Sequence, residues 1–244
     1  MKNWKLVFED DFNGTELNRD VWEKEIGFVR NGEPQYYTDE DRNCYLKDGC
    51  LVIETIREDY KGAKFTSAAI ETRDEYTWTY GRFEMKAKLP RSHVLWPAFW
   101  TLGKSIRHGV NWPRCGEIDI MEMTGGDGTR DYETIATLHF ESKATGEHDE
   151  RGGKNYALVN DRRLSDDFHI YAVEWDKDSF VWYFDDKVVY KCDITEDMQG
   201  AFDEPHFIIL NTALENWGGE WVPNEKTELP QKYIIDYVRV YQEA

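Results

Sequence analysis

The chain has 244 residues, with 48 acidic and 30 basic side chains, and its formal net charge is −18 at pH 7. This length fits one large β-sandwich or α/β domain, or two small ones, and a hydrophobic content of 40% can fill a sizeable core. The charge disfavours nucleic acid, anionic membranes and strongly sulphated polymers, because all of these bind basic surfaces. A neutral partner stays open, and ten tryptophans offer rings for a core, a binding surface or both.

Apolar and polar residues alternate along most of the chain, which is typical of half-buried β-strands. In residues 81–90 (GRFEMKAKLP), for example, Phe83 and Met85 occupy one phase and Glu84 and Lys86 the other. Similar patterns predict strands at 50–56, 117–123, 134–140, 169–175, 179–184, 187–190, 207–211 and 233–241. Asp185-Asp186 predicts a hairpin turn, and residues 195–202 a single turn of helix. Strands at short spacing without interleaved helices predict an all-β antiparallel sandwich or barrel.

Four cysteines occur, none in a CxxC pair, so a zinc ribbon is not supported. We expect four free thiols, with a Cys44–Cys50 bridge as the alternative. No stretch approaches the roughly 18–20 apolar residues of a membrane span, and no apolar signal-peptide region follows Met1.

The segment 116–126 (GEIDIMEMTGG) places Glu117, Asp119 and Glu122 within six residues of a strand-like run. In a regular strand Glu117 and Asp119 share a face, and Glu122 points to the other one. A β-bulge near 120–121 would return Glu122 to the shared face. The Cα atoms of Glu117 and Glu122 would then be roughly 13 Å apart, and their carboxyl groups could approach to about 5–6 Å.

That separation suits a retaining glycoside hydrolase, in which one carboxylate is a nucleophile and the other is kept protonated as an acid. A solvated acidic strand or a calcium site is the alternative from spacing alone. Calcium prefers ligands that a loop brings together, whereas apolar residues flank these three carboxylates. The pattern therefore favours catalysis.

The same segment resembles the active-site strand of glycoside hydrolase family 16, in its laminarinase-like, endo-β-1,3-glucanase branch. The resemblance runs through 49–53 (GCLVI), 66–73 (TSAAIETR), 80–90 (YGRFEMKAKLP), 96–103 (WPAFWTLG), 112–122 (WPRCGEIDIME), 137–139 (TLH), 171–175 (YAVEW) and 235–241 (IDYVRVY). It implies a concanavalin-like β-jelly roll of two curved antiparallel sheets, with a substrate cleft across the concave face. Residues 1–244 would form a single catalytic domain.

The resemblance further implies Glu117 as nucleophile, Asp119 as the assisting carboxylate and Glu122 as acid/base. With its extra residue, Met121, the carboxylate segment resembles that of laminarinases and some galactan hydrolases, whereas the lichenase and xyloglucan-modifying branches lack this residue. His139 follows an apolar run and alone would be a core residue, but its place in the family is beside the catalytic strand. It could bond to Asp119 or to sugar.

Several aromatic and polar residues at positions that match those of similar enzymes in the family are expected to bind substrate. Trp96 and Trp100 share a strand phase, Trp112 precedes the catalytic strand, and Trp217 lies in a Gly-rich loop together with Trp221. Core packing is the alternative for each of them, and Trp4, Trp22, Trp175 and Trp182 are assigned to the core. Asn43, Arg73, Glu33 and Gln35 match polar positions on the non-reducing side of the cleft.

Asp236 interrupts an apolar phase with Ile234, Val238 and Val240, so as a buried carboxylate it needs a partner. A hydrogen bond or salt bridge would suffice. The resemblance implies a structural Ca²⁺ held by Asp236 and by backbone carbonyls of Gly49 and Asp11, with no cofactor for catalysis.

Together these features predict a retaining endo-β-1,3-glucanase that acts on laminarin-type or mixed-linkage β-glucan. A mixed-linkage β-1,3-1,4-glucanase, a galactan hydrolase of the same family and a non-catalytic glycan-binding jelly roll are the alternatives. In residues 213–219 (ALENWGG) the two glycines follow the tryptophan, whereas in similar laminarinases they usually precede it. This loop helps to shape the subsites near the cleavage point, so the linkage preference stays open. We expect a monomer that binds no nucleic acid and is secreted, cell-surface or periplasmic, with its export signal outside this sequence; a cytoplasmic location stays open.

Overall fold

The computed structural model describes residues 2–125, 130–157 and 163–244, with no side chains for 154–157. Its strands are β1 Trp4–Asp10, β2 Trp22–Glu25, β3 Gln35–Tyr37, β4 Cys44–Lys47, β5 Cys50–Tyr60, β6 Ala63–Ser67, β7 Ala69–Thr72, β8 Gly81–Lys88, β9 Leu95–Gly103, β10 Glu117–Glu122, β11 Glu133–Glu141, β12 His148–Ala157, β13 His169–Trp175, β14 Ser179–Phe184, β15 Lys187–Asp193, β16 His206–Leu214 and β17 Gln231–Glu243. Two short 3-10 helices span Lys104–His108 and Glu196–Met198. Within the described ranges there is no α-helix.

The strands form two sheets. The ten-stranded sheet has the order β15-β14-β13-β8-β17-β5-β6-β3, with β1 added on β17 and β4 on β5. The seven-stranded sheet has the order β12-β11-β10-β9-β16-β7-β2. Neighbours are antiparallel except for β3 and β6. The predicted all-β jelly-roll sandwich is confirmed.

The main core lies between the two sheets. Phe83 and Met85 of β8 belong to one buried cluster with Phe99 of β9 and Ile118 of β10. These residues occupy the apolar phase of alternating strands, so burial of one face of each sheet drives the packing. The opposite face of the seven-stranded sheet, which carries Glu117, is called the site face below.

Local predictions from alternation agree with the structure. The strands predicted at 169–175 and 179–184 have the bounds of β13 and β14. Asp185 and Asp186 both have left-handed backbone angles, with φ of 45° and 61°, as a tight hairpin between β14 and β15 requires. The helical turn expected at 195–202 is reduced to the 3-10 helix Glu196–Met198.

The cysteines and most of the tryptophans also follow expectation. All four cysteines are free thiols, so no Cys44–Cys50 bridge forms. Trp22, Trp175 and Trp182 are buried in the core. Trp4, assigned to the core from sequence, is instead partly exposed near the chain terminus. Among the described residues, none of the helices has the length and apolar character needed to cross a membrane.

Asp236 lies outside the core phase in which the sequence pattern placed it. The β8–β17 register shifts between Ile235 and Tyr237, so the buried phase runs through Ile235 and Val238 instead. The Asp236 carboxylate is about one third exposed and lies 2.6 Å from the Lys86 ammonium. A salt bridge, the ordinary alternative, therefore satisfies it.

The other two residues of the expected calcium site meet at Asn13. The Asn13 amide donates to Asp11 Oδ2 over 2.8 Å, and its oxygen approaches Gly49. A carboxylate already paired with an ammonium is a poor donor for Ca²⁺, which takes six to eight oxygen ligands. The Lys86 ammonium would have to leave Asp236 before an ion could bind there, and calcium binding stays a prediction.

Candidate active site

The predicted β-bulge in β10 is present and brings the three carboxylates to the site face. From Asp119 to Glu122 the chain advances three residues, while the paired residues on β9, Trp100 and Ala98, are only two apart. The register with β11 shifts in the same interval. Ile120 and Met121 both pack into the core as a result.

A tryptophan from the opposite sheet stabilises this bulge. Bulges leave backbone groups without ladder partners, and such groups are costly when buried. Trp182 of β14 donates its indole N–H to the carbonyl oxygen of Asp119 over 3.0 Å, and both groups are buried. The core therefore helps to fix the residue spacing that positions Glu122.

Two further tryptophans donate to the glutamates. Trp112 Nε1 is 3.0 Å from Glu117 Oε2, and Trp96 Nε1 is 2.7 Å from Glu122 Oε1. An indole N–H can only donate, so each bond favours the ionised carboxylate. Both side chains also acquire a fixed orientation from these bonds.

His139 is the cross-strand partner of Glu117 on β11. Its Nε2 lies 3.4 Å from Asp119 Oδ2 and 3.8 Å from Glu117 Oε1. Ligand atoms of these three residues lie within 4.8 Å of one another. The structure therefore brings His139 beside the carboxylates, as the family resemblance implied.

Burial raises the pKa of all three carboxyl groups above its ordinary value. For Glu117 and Asp119, repulsion from a neighbouring carboxylate adds to this rise. Trp112 and His139 oppose the rise in the pKa of Glu117, and Trp96 and His139 oppose it for Glu122. Buried like charges cannot all ionise together, so this site retains protons at a pH where exposed carboxyls have lost them.

Tryptophans border the carboxylates on the site face. Trp112 is 46% exposed and Trp217 is 59% exposed, so both offer ring surface to a ligand. Trp217 packs edge-on against Trp96 at 5.3 Å between ring centroids. The loop after β16, in which the glycines follow the tryptophan, therefore places Trp217 next to the ring that bonds Glu122.

Trp100 occupies the site face but is covered. It is only 7% exposed, the Arg30 guanidinium lies 5.0 Å from its ring centroid, and its N–H donates to Asn211. Arg30 in turn pairs with Glu25. Sequence patterns gave no sign of this cover, since Arg30 belongs to a loop distant in the chain.

The polar positions expected in the cleft differ in outcome. Asn43 has no exposed surface, and its side chain bonds to Thr38 and Thr66, so it is structural and not in contact with the cleft. Glu33 and Gln35 are also buried and bond to each other over 2.7 Å. Gln35 lies in β3, whereas Glu33 and Asn43 lie in the segments just before β3 and β4, and all three side chains point inward and are satisfied by internal hydrogen bonds.

Arg73 follows β7, on the far side of β9 and β16 from the carboxylates. It is partly exposed and pairs with Glu23 at 2.9 Å. Its role in substrate binding stays a prediction.

Sequence reasoning missed two groups on the site face. Glu71 lies in the same cross-strand row as Asp119, through Trp100 and Ile209, and burial raises its pKa to about 7 despite its pairing with Arg107. His148 and Glu150 of β12 lie beside His139. Only the strand order reveals these neighbours, since no local motif links them.

A β-sandwich whose sheet face carries one buried and two partly buried carboxylates, with exposed tryptophans at their side, is the arrangement expected of a glycoside hydrolase. The chain matches the family described as glycosyl hydrolases family 16 over residues 31–239. It is 34% identical to a beta-glucanase of Rhodothermus marinus, covering 98% of this chain and 86% of that one. It is 32% identical to glucan endo-1,3-beta-glucosidase A1 of Niallia circulans, over 98% of this chain but only 38% of that protein's length.

Solved structures agree with these relatives. The catalytic domain of an endo-1,3-beta-glucanase (laminarinase) from Thermotoga petrophila superposes with a TM-score of 0.86 at 36% identity, covering 100% of this chain and 99% of that one. The protein belongs to glycosyl hydrolase family 16. The resemblance to the laminarinase-like branch is thereby confirmed.

Proposed function

We propose that this protein is a retaining endo-β-1,3-glucanase that hydrolyses laminarin-type or mixed-linkage β-glucan by double displacement. The observation that carries the proposal is the bulge, which places Glu117, Asp119 and Glu122 on one face of β10. A strand with only a structural role gains nothing from three like charges on one face. The similarity to endo-1,3-β-glucanases supports the linkage.

In the first step Glu117 attacks the anomeric carbon while Glu122 gives its proton to the leaving glycosidic oxygen. A covalent glycosyl-enzyme forms and the leaving sugar departs as an alcohol. In the second step Glu122 takes a proton from water, whose oxygen displaces Glu117 from the anomeric carbon. Glu117 is thus released as a carboxylate and Glu122 regains its proton.

The neighbours of the two glutamates suit these roles. Trp112 donates to Glu117 and His139 lies near it, so both favour the ionised nucleophile. Asp119 is buried, and its Oδ2 has no hydrogen-bond partner among the described residues. We assign Asp119 to holding a proton between the glutamates, which keeps their charges from repelling each other.

The exposed rings at the site suit a neutral glucan. Trp112 and Trp217 can stack on the apolar faces of glucosyl rings, and the net charge of −18 repels sulphated galactans. A mixed-linkage glucanase and a galactan hydrolase remain the alternatives. Product analysis on laminarin, lichenan, barley glucan and agarose in parallel decides between them, with laminarin expected to be cut fastest.

A non-catalytic glycan-binding jelly roll is the candidate from another class. It would use the same tryptophans but has no need of the carboxylates. Glu117→Ser should abolish release of reducing ends from laminarin while oligosaccharide binding persists in calorimetry. Retained turnover in this variant, or a wild-type protein that binds laminarin without cutting it, would refute the hydrolase assignment. A monomeric state and secretion stay proposals of the same kind.

A further inference from the structure

We propose that His139, His148 and Glu150 form a binding site for one divalent transition-metal ion, such as Zn²⁺, at the edge of the active site. This metal site does not depend on the glucan specificity proposed above. It follows from the order of strands β10, β11 and β12, which no local sequence motif specifies.

The sheet register brings the three side chains together. His139 on β11 lies opposite Glu150 on β12, and His148 is two residues from Glu150 on the same strand. Residues two apart in a strand point to the same side of the sheet. All three side chains therefore project from the site face, and their ligand atoms lie within 4.8 Å of one another.

The distances are close to those that a metal requires. His139 Nδ1 is 3.0 Å from His148 Nε2 and 3.7 Å from Glu150 Oε2. Zinc binds imidazole nitrogen and carboxylate oxygen at about 2.0–2.2 Å, so neighbouring ligand atoms in a tetrahedral site are roughly 3.4 Å apart. Side-chain shifts of a few tenths of an ångström, which widen the first separation and shorten the second, would place these atoms around one ion.

The surroundings favour a cation and leave it room. Glu150 has 59% of its side chain exposed, so water can complete the coordination. Trp112 packs against both imidazoles, with ring centroids 4.7 Å from His148 and 5.9 Å from His139. The rings are thus held in place before any ion arrives, which lowers the entropic cost of binding.

Binding at this site would also fix the state of His139. A metal on Nδ1 leaves the proton on Nε2, the nitrogen that faces Asp119 Oδ2 at 3.4 Å. The cation would therefore act on the catalytic carboxylates through the His139 ring without direct contact with them.

The competing set is Glu117, Asp119 and His139, whose ligand atoms also lie within 4.8 Å of one another. In that arrangement the ion would use His139 Nε2 and the catalytic carboxylates. Oxygen-dominated binding of this kind would suit a hard cation such as Ca²⁺ as well as Zn²⁺. The two sets are distinguished by their dependence on His148 and on Glu117.

The test is isothermal titration of the metal-free full chain with ZnCl₂, followed by the same titration with CaCl₂. We expect one zinc ion per chain, and any calcium heat should be the same in His148→Gln as in the wild-type chain. His148→Gln should weaken zinc binding at least about tenfold, because a ligand is lost, and Glu150→Gln should weaken it less. His108→Gln, which replaces an exposed histidine of the 3-10 helix Lys104–His108 that belongs to neither ligand set, should bind as wild type does.

Glu117→Gln separates the two sets without requiring activity. Unchanged zinc affinity in Glu117→Gln, together with loss in His148→Gln, supports the proposed site. Zinc binding that survives in His148→Gln, that is lost in Glu117→Gln or that is absent from the wild-type chain overturns the proposal. Thermal melts of each variant verify that the exposed His148 and Glu150 can be replaced without unfolding.

Discussion

Replacing Trp96 with Phe removes the indole N–H that bonds Glu122 over 2.7 Å and keeps an aromatic ring. That bond lowers the pKa of Glu122 against the rise caused by burial. Without it the ionised form loses a donor, so the pKa of Glu122 must rise further. The alkaline limb of the pH profile reports loss of the proton from the general acid, so this limb should move up.

The size of the shift follows from the charge on the acceptor. A hydrogen bond to a charged group contributes about 1.5–3 kcal/mol, and one pKa unit corresponds to about 1.4 kcal/mol. The alkaline limb of kcat/KM should therefore move up by about 1–2 pH units. The groups that also act on Glu122 are His139, Glu150 and Glu215, and the substitution leaves them in place.

Trp112→Phe is the matched variant, because its indole bonds the other glutamate, Glu117, over 3.0 Å. Loss of this bond should raise the pKa of Glu117 and move the acid limb of the kcat/KM profile to higher pH, because the nucleophile must lose its proton before it attacks. Trp112 is 46% exposed, so water compensates in part and the shift should be only about half a unit.

The assay is kcat/KM on a soluble laminari-oligosaccharide across the pH range. An upward shift of the acid limb in Trp96→Phe would exchange the roles of Glu117 and Glu122. If neither variant moves either limb, the tryptophan bonds do not act on the groups that control the rate, and the reasoning is refuted.

Three further predictions concern the bulge, acid stability and the cover on Trp100. Deleting Met121 shortens the spacing from Asp119 to Glu122 from three residues to two, so Glu122 stays on the site face and laminarin hydrolysis should fall but stay measurable. Deleting residues 120–121 together would turn the Glu122 side chain into the core and should abolish laminarin hydrolysis. Burial lowers the pKa of His206 to about 3, below about 6.5 in the unfolded chain, so stability should fall by about 1.4 kcal/mol per pH unit as the pH drops below 6.5. The free energy of unfolding of His206→Gln, measured by urea unfolding at several pH values, should depend less steeply on pH in that range. An unchanged pH dependence would contradict the prediction. Arg30→Ala uncovers the Trp100 ring and should lower KM for long laminari-oligosaccharides relative to short ones; an equal effect on both would remove Trp100 from the binding surface.

Local periodicity predicted much of the secondary structure of this chain. Strand alternation has a range of two residues, so β13 and β14 could be bounded from their own sequences. The bulge in β10 was also predictable, because Glu117 and Glu122 can share a face only if one residue is added between them. The same rule was wrong at Asp236, where a bulge in β17 shifts the phase without a charge pattern to signal it.

By itself, the sequence determined the sandwich class and the strand that carries the three carboxylates, since both depend on residues close together in the chain. Only the tertiary structure decided which side chains meet across strands: Arg30 over Trp100, and His148 beside His139. Those contacts depend on which strand pairs with which and in what register. Pairing is set by burial of the whole core and by chain closure over long separations, and alternation within one strand carries no information about it.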